Sequence, residues 1–186
     1  MMYSPKKVYQ YYQNAYLSKR AALDFLIFII ETSNNDAQRI ESLRYINKIN
    51  PKSIKIFEFL ENIFISEPDK SVRFAAFKVL KRNFPIQAIN PIIHIIINET
   101  GLFIIPLIEF LHQINPFKCY NVIIDKIRNS KDLSIDINNR NHLKKLSLQE
   151  LITLFYNYLL NKSLESLYFH RHQIPLALDF YGMDDV

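Results

Sequence analysis

Glycine occurs at only two of 186 positions, Gly101 and Gly182, where average usage is about 7%. Gly reaches positive φ without steric cost and lets a backbone approach a phosphate closely. Neither a GxGxxG nor a GxxxxGK[ST] loop can therefore be written in this chain, which excludes dinucleotide-binding and P-loop enzymes. Sandwiches and barrels, whose turns lean on glycine, are disfavoured for the same reason. The chain must turn by other means, and it has the apolar content to bury a core. It is 49% hydrophobic and 22% charged, with 14 Phe and 11 Tyr. That composition describes a folded chain rather than a disordered one.

Prolines supply the ruler. Ile46–Pro51, Leu80–Pro85 and Leu111–Pro116 end alike, with their prolines 34 and 31 positions apart. Five residues before each proline sits an aliphatic (Ile46, Leu80, Leu111). Further apolar residues stand eight before (Leu43, Phe77, Ile108) and eleven before (Ile40, Phe74, Ile105). Offsets of three place these side chains on one face of a helix. The residues after each proline repeat the helical spacing: Ile54, Phe57, Leu60 and Ile63, then Cys119, Tyr120, Ile123, Ile124 and Ile127. Pro is tolerated at a first helical position because its missing N–H would have no partner there. Asn50 and Asn115 are then expected as N-caps. In the middle unit a helix begins either near Pro85, with a kink at Pro91, or at Asn90-Pro91. Each unit reads as helix, tight turn across the proline, helix. Neither helix can bury its apolar face alone, so the units are expected to stack as an α-solenoid.

Asp69-Lys70-Ser71-Val72-Arg73-Phe74-Ala75-Ala76-Phe77-Lys78-Val79-Leu80 resembles the first helix of a HEAT repeat, with its Asp, Val-Arg, Ala and Leu. Asp36–Ile46 is a second copy, and Arg39 and Arg73 both lie twelve residues before their prolines. The third unit has Ile104 at the Arg position. The resemblance covers residues 36–130. It implies an armadillo-like helical fold, and it casts Asp36, Arg39, Asp69 and Arg73 as structural residues linking adjacent repeats.

The expected organisation has capping helices over residues 1–35, HEAT-like repeats over 36–131, and a linker, helix and extended tail over 132–186. Ser4-Pro5 opens the first helix, and the tyrosines between Tyr3 and Tyr16 are expected as half-buried rings with their hydroxyls in water. A stacking surface for bases is the alternative. Ser147-Leu148-Gln149-Glu150 is a capping box opening a helix that runs to about Leu160. Leu143, Leu146, Leu148 and Leu151 also fit a leucine-rich-repeat template, which the longer helical period outweighs. Leu164–His170 and Ile174–Tyr181 alternate partially and could pair as a short β-hairpin. The expected fold class is all-α: a short HEAT-like α-α superhelix of two to three helical hairpins, with this small C-terminal appendage.

No constellation for chemistry emerges, so no enzyme and no cofactor are expected. His170 and His172 are the only close histidine pair, and zinc asks for three or four ligands. Cys119, the single cysteine, reads as a small core residue. It permits no internal disulfide, which favours a reducing, cytoplasmic setting. The apolar run 86–114 is broken by Pro91, Asn98, Glu99, Gly101, Pro106 and Glu109, so it reads as buried helices rather than a membrane span.

The expected function is a non-enzymatic scaffold that binds another protein through its second helices, with Lys52, Lys55, Glu58 and Phe59 as candidate contacts. No membrane partner and no small-molecule substrate are expected. The alternative starts from the net charge of +5. Arg44, Lys48, Lys78, Lys81 and Arg82 would align into a basic ridge able to neutralise phosphates of a nucleic acid. Cations near helix C-termini are also favoured without any ligand. Some HEAT-like proteins are DNA glycosylases, but that activity needs an aromatic and acidic pocket, and this chain has no Trp.

Overall fold

The computed structural model of the chain describes residues 4–129 and 145–169, excepting the side chains of 128 and 162–169. Among the described residues there are nine α-helices and no strand. They are α1 (Pro5–Gln13), α2 (Lys19–Thr32), α3 (Asp36–Ile49), α4 (Ile54–Ser66), α5 (Lys70–Asn83), α6 (Ile89–Asn98), α7 (Ile105–Ile114), α8 (Pro116–Asn129) and α9 (Leu148–Phe169). A 3-10 turn, Leu102–Ile104, precedes α7. The fold is all-α. The chain divides into two compact units, residues 1–95 and 96–186, with the division inside α6. The expected linker around 132–142 lies outside the described residues.

In the first unit α2 packs on α3, α4 on α5, and α3 on α5, while α1 packs on α2 and α3. The close hairpins therefore turn around Ser33–Asn35 and Glu67–Asp69. The expected hairpin across Pro51 is not one of the close pairs. It is displaced because α3 turns its apolar side to α2 and α5. Ser42 and Ala76 sit 34 positions apart on α3 and α5, and both are fully buried. Such small side chains let two helix backbones come close. Leu43, Ile46, Leu60, Phe64, Val72, Phe77 and Leu80 fill the space around them. Each buried side chain of this size contributes roughly 1.5–3 kcal/mol.

Side chains at hand cap the helix starts. Ser4 Oγ accepts from Lys7 N at 3.3 Å, Ser18 Oγ from Ala21 N at 3.1 Å, and Asn35 Oδ1 from Gln38 N at 3.3 Å. Asp69 Oδ1 accepts from both Ser71 N and Val72 N at 2.9 Å. Asn50 does not take the expected N-cap role. It closes α3 in the left-handed region at φ 57°, and α4 begins only at Ile54. Asn tolerates this conformation better than most residues, so it stands where a glycine is usual. Ala15, in the turn between α1 and α2, also has positive φ, at 60°.

The ends of these helices are held by cations from elsewhere. The last carbonyls of a helix lack intrahelical donors and carry its negative partial charge. Arg39 Nε donates to Ile30 O at 3.2 Å, and Arg73 Nε donates to Phe64 O at 2.8 Å. Each arginine thus reaches nine residues back, to the end of the preceding helix. Lys19 Nζ donates to Asn50 O at 2.8 Å and Lys52 Nζ to Asn83 O at 3.2 Å, each reaching 31 residues forward. Arg39 also clasps Glu67 through both terminal nitrogens, one at 3.0 Å from Oε1 and the other on Oε2. The two aspartates expected to share this linking role lie at helix starts instead. Asp36 pairs with Arg39 one turn along its own helix at 3.1 Å, and Asp69 caps α5. Glu67 makes the cross-hairpin link, because it lies in the α4–α5 turn opposite Arg39.

In the second unit α7 packs on α8, and α8 on α9. Here the Asn-Pro expectation is met: α8 starts at Pro116, and Asn115 Oδ1 accepts from Lys118 N at 3.0 Å. Cys119 is buried and its thiol donates to Ile108 O at 3.6 Å. Burial pushes that thiol up to about 12. The capping box closes reciprocally, with Glu150 N on Ser147 Oγ at 3.3 Å and Ser147 N on Glu150 Oε2 at 2.7 Å. The helix it opens continues to Phe169. The β-hairpin expected over 164–181 therefore lacks its first strand, since 164–169 are helical and 170–181 lie outside the described residues. Continuous helix also replaces the leucine-rich-repeat alternative from Leu148 onward.

Two outcomes test this framework. The Arg39 guanidinium holds the Glu67 carboxyl below the usual carboxylate range. Its stabilisation is therefore complete above the ordinary glutamate value and is lost as pH falls through the lower folded-state value. Glu67→Gln should cost about 2 kcal/mol near neutral pH, and urea titrations at acid pH should show the gap to the native sequence shrinking. Ala15→Gly should relieve left-handed strain of about 1–2 kcal/mol while adding unfolded-state entropy of about 0.4–1 kcal/mol. A small rise in thermal midpoint is expected.

Candidate functional site

The first unit presents two helix layers of different chemistry. α2 and α4, each packed on a helix of the other layer, make up one, and α1, α3 and α5 pack in series as the second. On α4, Lys55 and Glu58 are exposed and Phe59 is half-buried. Lys52 is exposed along its stem, but its amine is engaged by Asn83 O, so it serves the architecture. Ile54 on α4 and Phe25 and Phe28 on α2 are exposed large apolar residues. The sequence stripe over Ala21–Ile30 is wider than the face that packing covers, so Phe25 and Phe28 were not singled out there. Their signal is positional: Phe25 stands 34 residues before Phe59. Around them lie charges of both signs, including Arg20 and Asp24 at 4.0 Å, Glu31, Lys55 and Glu58.

The other layer is richer in positive charge. Arg44 and Lys48 on α3, and Lys78, Lys81 and Arg82 on α5, are all exposed. Arg44 and Lys78 occupy equivalent positions 34 apart, as do Lys48 and Arg82. Asn83 Nδ2 donates to Asn47 Oδ1 at 3.0 Å, which fastens the C-terminal ends of α3 and α5 side by side. The structure thus brings the ridge residues onto adjacent helices. Two of them sit over aromatic rings. Lys78 Nζ is 5.1 Å from the Phe74 centroid, and Lys48 Nζ is 5.6 Å from that of Tyr45 and 5.9 Å from that of Tyr9.

Tyr9 and Tyr45 stack at 4.8 Å with 22° between planes. Burial, and after it the neighbouring Glu41, push the Tyr45 phenol upward. Tyr9, Tyr11 and Tyr12 are half-buried, and Tyr16 is exposed. Tyr9, Tyr11 and Tyr12 therefore pack as a cap helix does, with Tyr9 anchored on α3, whereas Tyr16 departs from the half-buried expectation.

The second unit contains an open cavity of about 340 Å³ lined by Glu109, His112, Gln113, Gln149, Thr153 and Tyr156, with Ile152 at its wall. The Tyr156 hydroxyl donates to Glu109 Oε1 at 3.3 Å. This cavity joins α7 to α9 and offers hydrogen-bonding groups. Cys119, the one thiol, is buried and kept protonated. Among the described residues no three His, Cys, Asp or Glu side chains gather as a metal site would require, and His170 and His172 lie outside those residues. No helix among the described residues is long and apolar enough to cross a membrane. No protein-family model, curated protein or solved structure matches this chain.

Proposed function

We propose that the chain is a non-enzymatic protein-interaction module, built from HEAT-like helical hairpins, that engages its partner through the outward faces of α2 and α4. The observation that carries this is the exposure of Phe25, Phe28 and Ile54 among charges of both signs. Aromatic anchors ringed by mixed polar groups are how protein interfaces concentrate their binding energy. Lys55, Glu58 and Phe59 extend this surface along α4. A single cysteine, which forms no internal disulfide, is our ground for placing the chain in a reducing, cytoplasmic setting. Phe25→Ser with Phe28→Ser should leave helicity and thermal midpoint near those of the native sequence. It should weaken capture of a stoichiometric protein partner by at least about tenfold. Equal capture by both proteins would sink the assignment.

A second reading draws on the other layer, where exposed Arg44, Lys48, Lys78, Lys81 and Arg82 line adjacent helices. Such a row can neutralise phosphates along a nucleic-acid backbone. Lys78→Glu with Lys81→Glu should then elute from a polyanion column at lower salt than the native sequence. Unchanged elution removes this reading.

A further inference from the structure

In the first unit the turns after α1, α3 and α5 lie at one end of the layer. Lys19 reaches Asn50 O, Lys52 reaches Asn83 O, and Asn83 reaches Asn47, so each turn is hydrogen-bonded to its neighbour. One large apolar side chain projects from or beside each turn. Tyr16 is 76% exposed, Ile54 60% and Ile86 67%. None of these is needed to fill the core, and two are aliphatic, which solvent penalises most. Together they form a row of apolar tips along a single edge.

Cations flank that row. Lys19 and Arg20 follow Tyr16, Lys48, Lys52 and Lys55 bracket Ile54, and Lys81 and Arg82 precede Ile86; all are exposed. Lys19 and Lys52 hold backbone carbonyls and Arg20 pairs with Asp24, so the rim rests on Lys48, Lys55, Lys81 and Arg82. The acidic groups nearest the edge are Asp24, already paired with Arg20, and Glu58 in the second turn of α4. Glu31, Asp36, Glu67 and Asp69 cluster at the other end of the same helices. The edge thus combines protruding apolar tips with a positive rim. Taken by itself, the α7–α8 turn of the second unit has the same make-up, with Phe117 75% exposed beside exposed Lys118.

We propose that this turn edge docks on an anionic lipid bilayer surface, with Tyr16, Ile54 and Ile86 entering the headgroup and upper acyl region and Lys48, Lys55, Lys81 and Arg82 facing lipid phosphates and carboxylates. An apolar face that dips into the interface and a basic fringe that reads anionic lipid are the two signals such reversible attachment needs. Charge complementarity selects an anionic partner. The aliphatic tips select a bilayer over a nucleic acid, which has no place for Ile54 or Ile86. The edge binds at a surface and does not span; it shares Ile54 and Lys55 with the α4 end of the surface proposed for a protein, while Phe25 and Phe28 on α2 are not among its tips.

The test is co-sedimentation of the full chain with phosphatidylcholine vesicles, with and without phosphatidylserine, beside retention on a polyanion column. The native protein should sediment only with the anionic vesicles. Ile54→Ser with Ile86→Ser, which leaves the charge unchanged, should weaken this by at least about tenfold while leaving column retention in place. Both sites are exposed, so helicity and thermal midpoint should not fall. Lys81→Glu with Arg82→Glu should weaken vesicle binding and column retention together. The proposal is overturned if the native protein ignores anionic vesicles, or if the paired isoleucine substitutions leave sedimentation unchanged. Retention of an oligonucleotide without vesicle binding overturns it as well, and assigns the cations to a nucleic acid.

Discussion

The first unit depends on how its helices end. A helix C-terminus leaves carbonyls without donors, and glycine is the usual means of turning the chain so that its own amides satisfy them. With glycine so scarce, this chain brings in cations instead. Arg39 and Arg73 serve the ends of α2 and α4, and Lys19 and Lys52 serve the ends of α3 and α5. Each bond is local in chemistry but tertiary in effect, because the donor and the acceptor belong to different segments of the chain. Capping and stacking are therefore one device. The opposite sign of cation and helix end makes these bonds stronger than neutral ones.

Much of this was legible in the residues. The apolar triplets before the prolines marked the helices, and Leu43, Ile46, Phe77, Leu80, Ile108 and Leu111 are all buried. Arg39 and Arg73 stood out through their common distance to proline, and each donates to a carbonyl near the end of the preceding helix. Helix pairing was less visible, because periodicity identifies an apolar face without naming the face it meets. The small residues Ser42 and Ala76, which let α3 and α5 come close, carry no period of their own. The same Asn-Pro dipeptide gave two outcomes. At Asn115 the helix follows at once, whereas at Asn50 three more residues precede α4. Glu67 could not be paired with Arg39 from spacing, since 28 residues and a whole helix separate them.

The candidate surfaces were partly legible for a similar reason. The cations of the α3/α5 ridge could be named one by one, and their alignment followed once the 34-residue offset was known. Phe25 and Phe28 were hidden inside an apolar run, where only packing decides which side of α2 is covered. Lys52 shows the reverse. Its charge marked it as a surface contact, yet its amine is held by a backbone carbonyl. A charged residue beside a helix end has two employers, and the sequence does not say which one claims it.

The clasp of Arg39 on Glu67 has a consequence for how the first unit comes apart. Arrays of repeats normally behave as chains of nearest-neighbour links, and their ends fray first. Arg39 belongs to α3, holds the end of α2 and grips the turn between α4 and α5. Detaching the outer hairpin therefore breaks bonds in three segments at once. Separable repeats become a single cooperative block, in which partial unfolding from the N-terminal side gains little entropy for the bonds it gives up.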